Sequence, residues 1–163
     1  MGLIPRILQT WRRPGTTVRG LTGLPDAALL ALLIGTMALY FVAQWPAHAR
    51  AAALDPSVPL NARLGGALLA TLFLMPLIVM ALAGIVHLAA RLLGTGLSGH
   101  DSRLALIWAL AAAAPLMLLT GLAQGLAGPG PALTLLRIAT GAAFLLFWGA
   151  GLRALAQGAK ARA

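Results

Sequence analysis

The sequence predicts an all-α, polytopic membrane protein: four transmembrane helices preceded by a short amphipathic helix at the N-terminus. Three observations predict it. The chain is 60% hydrophobic and only 9% charged, whereas soluble domains carry about a quarter charged residues. Its apolar residues come in runs long enough to cross about 30 Å of hydrocarbon, not in the narrow stripes of soluble helices. Its basic residues collect at the ends of alternate runs, the loop bias of a membrane protein. At 163 residues one membrane domain, 26–157, is the natural count.

The first 25 residues form a basic N-terminal segment. Ile4, Ile7, Leu8 and Trp11 fall at i, i+3, i+4 and i+7 and share one helical face, with Arg6, Gln9 and Arg13 opposite. Pro5 suits a first turn and Pro14–Gly15 stops the helix. The expectation is a helix lying in the headgroup plane, with Trp11, Arg12 and Arg13 as interfacial anchors. Pro5, Arg6 and Arg12–Pro14 interrupt any early apolar core of a secretory signal, so the segment is expected to be retained.

Span one is read as 27–45, opened by Pro25–Asp26 and ended by Pro46, with Trp45 in an aromatic belt. Thr36, Tyr40 and Gln44 stand four residues apart and make a polar stripe. Such a stripe either hydrogen-bonds a neighbouring helix or lines a cleft. Span two, 64–93, has no charge before Arg91. At 1.5 Å per residue it would reach about 45 Å, so it must tilt or bend, and Pro76 is the expected kink. His87, one turn before Arg91, is the only histidine inside a span. It either bonds a carbonyl or headgroup, or handles a proton or ligand.

The linker 94–101 is glycine-rich but lacks the Lys-Ser/Thr and preceding strand of a phosphate loop, so it reads as a turn. Span three, 102–127, carries Pro115, an interfacial Trp108, and Thr120 and Gln124 near its far end. Gly121 and Gly125 form a small-xxx-small pair suited to close helix packing. Span four, 132–155, holds Arg137 and Arg153 only fifteen residues apart between them, so both must snorkel toward opposite headgroup layers. Trp148 supports an interfacial surface there, and the tail 158–163 is expected to be loose. Asp55, the only acid between spans one and two, is a candidate partner for Arg137.

Four spans put both termini on one side. Arg6, Arg12, Arg13, Arg19, Arg91, Arg103, Arg153, Lys160 and Arg162 then face one way, against Arg50, Arg63 and Arg137. Nine against three places the termini in the cytoplasm, beside an anionic inner leaflet. The same distribution accounts for the net charge of +9 without nucleic acid, whose binding needs a basic folded face or groove. With no cysteine, three histidines and only Asp26, Asp55 and Asp101 as acids, no metal set, cofactor site or nucleophilic triad can be assembled from spacing. A non-enzymatic role is expected.

The hairpin His87-Leu-Ala-Ala-Arg-Leu-Leu-Gly-Thr-Gly-Leu-Ser-Gly, followed by Arg103-Leu-Ala-Leu-Ile-Trp-Ala and Ala114-Pro115-Leu, resembles the bacterial Yip1-domain family. Trp11-Arg-Arg-Pro14 ahead of span one and Phe147-Trp-Gly-Ala-Gly-Leu-Arg153 in span four fit the same pattern. That family usually has five spans. The Asp-Leu-Tyr-Gly-Pro motif of its eukaryotic, GTPase-interacting relatives is absent. The resemblance implies a small integral inner-membrane protein. Many small residues and little intramembrane chemistry make helix packing with itself or a membrane-protein partner the leading expectation, as a scaffold or accessory subunit. Two alternatives follow from particular residues. One is a small channel or solute carrier with a polar cleft of Thr36, Tyr40, Gln44, Thr120 and Gln124. The other is lipid sensing or membrane shaping through the N-terminal helix.

Overall fold

The computed structural model describes residues 2–161, and among these there is no strand. The helices are α1 (Leu3–Arg12), α2 (Pro14–Arg19), α3 (Asp26–Leu54), α4 (Leu60–Leu69), α5 (Met75–Leu92), α6 (Gly99–Leu126) and α7 (Pro131–Lys160). A π-helical turn, Ala70–Leu74, joins α4 to α5 without a break. Four helical units are therefore long and apolar enough to cross a membrane: α3, the 33-residue unit Leu60–Leu92, α6 and α7.

The bundle is built around α6. In its apolar window 67% of residues are buried, against 11% for α7, and it touches α1, α2, α3, α5 and α7. Small residues allow this. Ala105, Ala109 and Ala111 to Ala114 let the neighbours approach, while Leu104, Leu106, Ile107 and Trp108 fill the core with Leu29, Leu33 and Met37 of α3. The closest approach is between α3 and α6 at Gly121 and Gly125. A Cβ on Gly121 would overlap the Ala43 carbonyl oxygen, and one on Gly125 would overlap Pro46. The small-xxx-small pair is thus used inside the chain.

Prolines mark the departures from the sequence reading. Pro46 does not end α3, which continues through it to Leu54. Its flat ring instead packs where Gly125 leaves room. Before Pro76 the helix widens, with the Met75 N–H donating to the Ala70 carbonyl five residues back. This absorbs the ring that would clash with an ordinary α-turn. Pro115 removes the donor to the Ala111 carbonyl, and side chains from two other helices reach the carbonyls on either side of it: Tyr40 Oη donates to that of Leu110 (2.8 Å) and Trp11 Nε1 to that of Ala112 (3.2 Å). The tail is helical as far as Lys160, while Arg162 lies outside the described residues.

The N-terminal helix forms where the sequence places it, as α1. It is docked in the bundle. Thr10 is fully buried, and its hydroxyl accepts a hydrogen bond from Trp108 Nε1 at 3.0 Å. Trp108 is 1% exposed, so it is a core residue and not an interfacial anchor. Trp11 packs edge-on against Phe147, 5.2 Å between ring centroids. Ala112, its acceptor, is nine residues past Arg103, about 14 Å further along the helix axis. The α1–α2 pair is therefore a short hairpin reaching into the bundle, with Ile4 and Leu8 left exposed on its apolar face. Arg12 and Arg13 lie exposed at its tip, and Trp45 is exposed on α3.

Candidate functional site

The polar residues that the sequence singled out divide into two groups. Thr36 and Tyr40 are structural. Thr36 Oγ1 donates to the Leu32 carbonyl of its own helix (2.8 Å), and the Tyr40 hydroxyl is engaged by Leu110. Gln44, Thr120 and Gln124 instead meet at one pocket of about 240 Å³ between α3, α6 and α7, toward the end of the bundle opposite the termini. Arg137 and Thr140 of α7 complete it, with Ala43, Met117 and Gly121 as the apolar wall.

Each polar group is held by its own helix or a neighbour. Gln44 Nε2 donates to the Tyr40 carbonyl (3.1 Å) and to Thr71 Oγ1 (3.0 Å). Thr71 belongs to the π-helical turn, so the irregularity that accommodates Pro76 also braces the pocket. Arg137 Nη2 donates to Gln124 Oε1 at 2.9 Å. The Thr120 and Thr140 hydroxyls lie 3.0 Å apart, each within 2.8 Å of the carbonyl one turn back in its own helix. With one proton apiece and those carbonyls to serve, the threonines offer a guest mainly lone pairs. Arg137 is the strong donor and, among the described residues that line the pocket, the only charge. The pocket suits a compact molecule with an acceptor or anionic head and an apolar body.

The expected partnership of Asp55 with Arg137 does not occur. Asp55 pairs with Arg63 (3.2 Å) across the short α3–α4 turn and accepts from the Ser57 hydroxyl and backbone N–H. These Ser57 hydrogen bonds, with the Arg63 charge, hold its carboxyl below the usual carboxylate range. Local geometry wins because Arg63 is one short turn away, whereas Arg137 is engaged by Gln124. Arg50, not singled out by the sequence, reaches the carbonyls of Gly125 and Leu126 and thereby caps α6 with a cation. Gly128, at φ +75°, adopts a backbone conformation that favours glycine, and a Cβ there would also push the Arg50 guanidinium aside.

At the other end, Asp26 on α3 ties to α6 through Arg103 (3.1 Å) and His100 Nδ1 (2.9 Å). Ser98 and Asp101 form a reciprocal capping box at the start of α6. His87 sits against Gly99, with Nδ1 buried and without a hydrogen-bond partner. No group of three metal-ligating side chains occurs among the described residues. Trp148 stacks on Phe144, 5.7 Å between centroids, and is partly buried.

The fold and the apolar helices define a multi-pass α-helical membrane protein. Comparison with protein-family models, with curated proteins and with solved structures finds no match.

Proposed function

We propose that this is a non-enzymatic inner-membrane protein, with both termini cytoplasmic, that binds a small carboxylate-bearing amphiphile in the outer half of the bilayer. The observation that carries this reading is the convergence of Gln44, Thr120, Gln124, Arg137 and Thr140, from three helices, on one apolar-walled pocket. Among the described residues Arg137 has a neutral partner, Gln124, and no acid; a charge left unneutralised near the membrane is costly, so its placement beside a cavity argues for a guest that uses it. Below the pocket Tyr40, Met37, Leu33 and Trp108 are packed in the core. That favours binding, or carriage by a moving helix, over an open channel. The nine-to-three bias of basic residues supports the orientation.

The test is thermal unfolding of the detergent-purified protein with medium-chain carboxylates and with alcohols of equal chain length. The carboxylates are expected to raise the midpoint and the alcohols not. Arg137→Gln and Gln124→Leu should each weaken that response by about tenfold in concentration, the value of one charge-assisted hydrogen bond. Equal responses to acid and alcohol, or a response unchanged in both variants, would refute the reading.

A second reading, a scaffold or accessory subunit of the kind the Yip1-domain resemblance suggests, is favoured by the uncovered windows of α7 and of Leu60–Leu92, 11% and 17% buried. Because Gly121 and Gly125 face α3, any partner would use those faces instead. Recovery of the protein from native membranes as a lone monomer would count against this reading.

A further inference from the structure

A second concavity lies at the opposite end of the molecule, between α2 and α7, and its chemistry is different. It is a groove of about 370 Å³ lined by Arg13, Thr16, Arg19, Arg153 and Gln157, with Ala150 and Ala154 at its floor. Three guanidinium groups converge there. The chain has only three acids, and all are engaged elsewhere. Asp26 is held by Arg103 and His100, and Asp55 by Arg63. Asp101, which with Arg19 borders a separate small hollow, has its carboxylate in the Ser98 capping box. Among the described residues no ion pair neutralises Arg13, Arg19 or Arg153.

The groove is built, not a chance meeting of surface side chains. Gly15 brings α2 against α7, where its Cβ would stand 3.2 Å from that of Ala154. Arg19 is fixed by donating Nε to the Ala154 carbonyl (3.0 Å) and Nη2 to Gln157 Oε1 (2.7 Å). Along α7, Leu146, Ala150, Arg153 and Gln157 fall at i, i+4, i+7 and i+11 and so share one face. That face passes from a 70%-exposed leucine to the basic groove within about three turns. Trp11 of the docked hairpin, itself half-exposed, packs on Phe147 of the same helix. A basic hollow continuous with an exposed apolar stripe matches a phosphate headgroup above acyl chains. A free anion would use the hollow and leave the stripe idle.

We infer that the α2–α7 groove is a headgroup site for an anionic phospholipid, with Arg13 and Arg153 forking onto the phosphate and Arg19 positioned by Gln157. The site is independent of the outer pocket. It makes the N-terminal hairpin a lipid-dependent element of the fold, because half of the groove is α2.

The intact protein in a mild detergent, titrated with phosphatidylglycerol or phosphatidylcholine and read by native mass spectrometry, tests this. Phosphatidylglycerol is expected to bind tighter and to saturate at a defined adduct. Arg13→Gln with Arg153→Gln should weaken it about 30-fold, at roughly 1 kcal/mol per arginine. The matched double variant Arg6→Gln with Arg91→Gln, equal in charge lost but outside the groove, should leave it nearly unchanged. Neither Arg13 nor Arg153 anchors the packing, and an unaltered unfolding midpoint without lipid confirms that the variant folds. Equal loss in both double variants would reduce the effect to bulk electrostatics and overturn the site. So would equal affinity for the two lipids. Binding of inorganic phosphate that is sensitive to the groove variant, without retention of lipid, would overturn the lipid as its occupant.

Discussion

Gly121→Ala is expected to destabilise the protein more than any other single methyl added to it. The new Cβ would fall on the Ala43 carbonyl oxygen, and a backbone atom in the middle of a 29-residue helix cannot swing aside as a side chain can. Either α3 and α6 separate along their whole contact or one of them bends. Overpacking of a tight interior costs about 1–3 kcal/mol where side chains can shift, so a cost at or above the top of that range is expected here. Since α3 and α6 also form two walls of the outer pocket, ligand response should fall together with stability. Gly141→Ala and Gly149→Ala on α7 are the controls, because nothing lies within 4 Å of either added Cβ. They should be neutral, or gain up to about 1 kcal/mol in helix propensity. Thermal unfolding of the three variants in one detergent checks the ordering, and a Gly121→Ala protein as stable as the controls would refute the close α3–α6 contact.

The second large effect is expected at Trp108. Removing its ring in Trp108→Ala empties the centre of the core and should cost about 3–5 kcal/mol. It also removes the donor to Thr10 that holds α1 against the bundle. Thr10→Val separates the two roles. It keeps the shape but leaves a buried indole N–H without an acceptor, at a cost of about 1–3 kcal/mol. The penalty falls on docking of α1 while the four long helices stay packed. Limited trypsin digestion should therefore cut Thr10→Val at Arg6 or Arg12 faster than the parent, with the bundle remaining intact. Unchanged cleavage would mean that the hairpin is held by other contacts, such as Arg19 with Ala154 and Gln157.

The spans were legible because apolar length alone decides them. Loop chemistry was legible where the signal is local, as at Ser98–Asp101, where a small polar cap precedes a helix. Prolines were read less well. Pro46 was expected to stop α3, yet a glycine on another helix makes room for it, which no local pattern announces. The fate of Trp108 was hidden for a similar reason. Its position near a span end suits an interfacial anchor, and only the inward reach of Thr10, 98 residues away, makes it core.

Three of the five polar residues that the sequence singles out line the outer pocket. Gln44, Thr120 and Gln124 lie on the face that forms the pocket, whereas Thr36 and Tyr40 fall on packed positions. Arg137 reads from sequence as a snorkelling charge because its distance from Gln124 across the Gly128–Pro131 turn cannot be read from spacing. The basic groove escaped for the opposite reason. Arg13, Arg19 and Arg153 look like ordinary flanking charges until the α1–α2 hairpin brings the first two onto α7.

Cysteine labelling decides whether four helices cross a bilayer with the outer pocket and the basic groove on opposite faces. The chain has no cysteine of its own, so Ser57→Cys in the α3–α4 turn and Gly158→Cys near the end of α7 report without background. In intact cells a membrane-impermeant maleimide should label position 57 at once and position 158 only after permeabilisation. Labelling of position 158 with protection of position 57 would invert the proposed orientation. Equal labelling of both before permeabilisation would contradict the membrane-spanning fold itself.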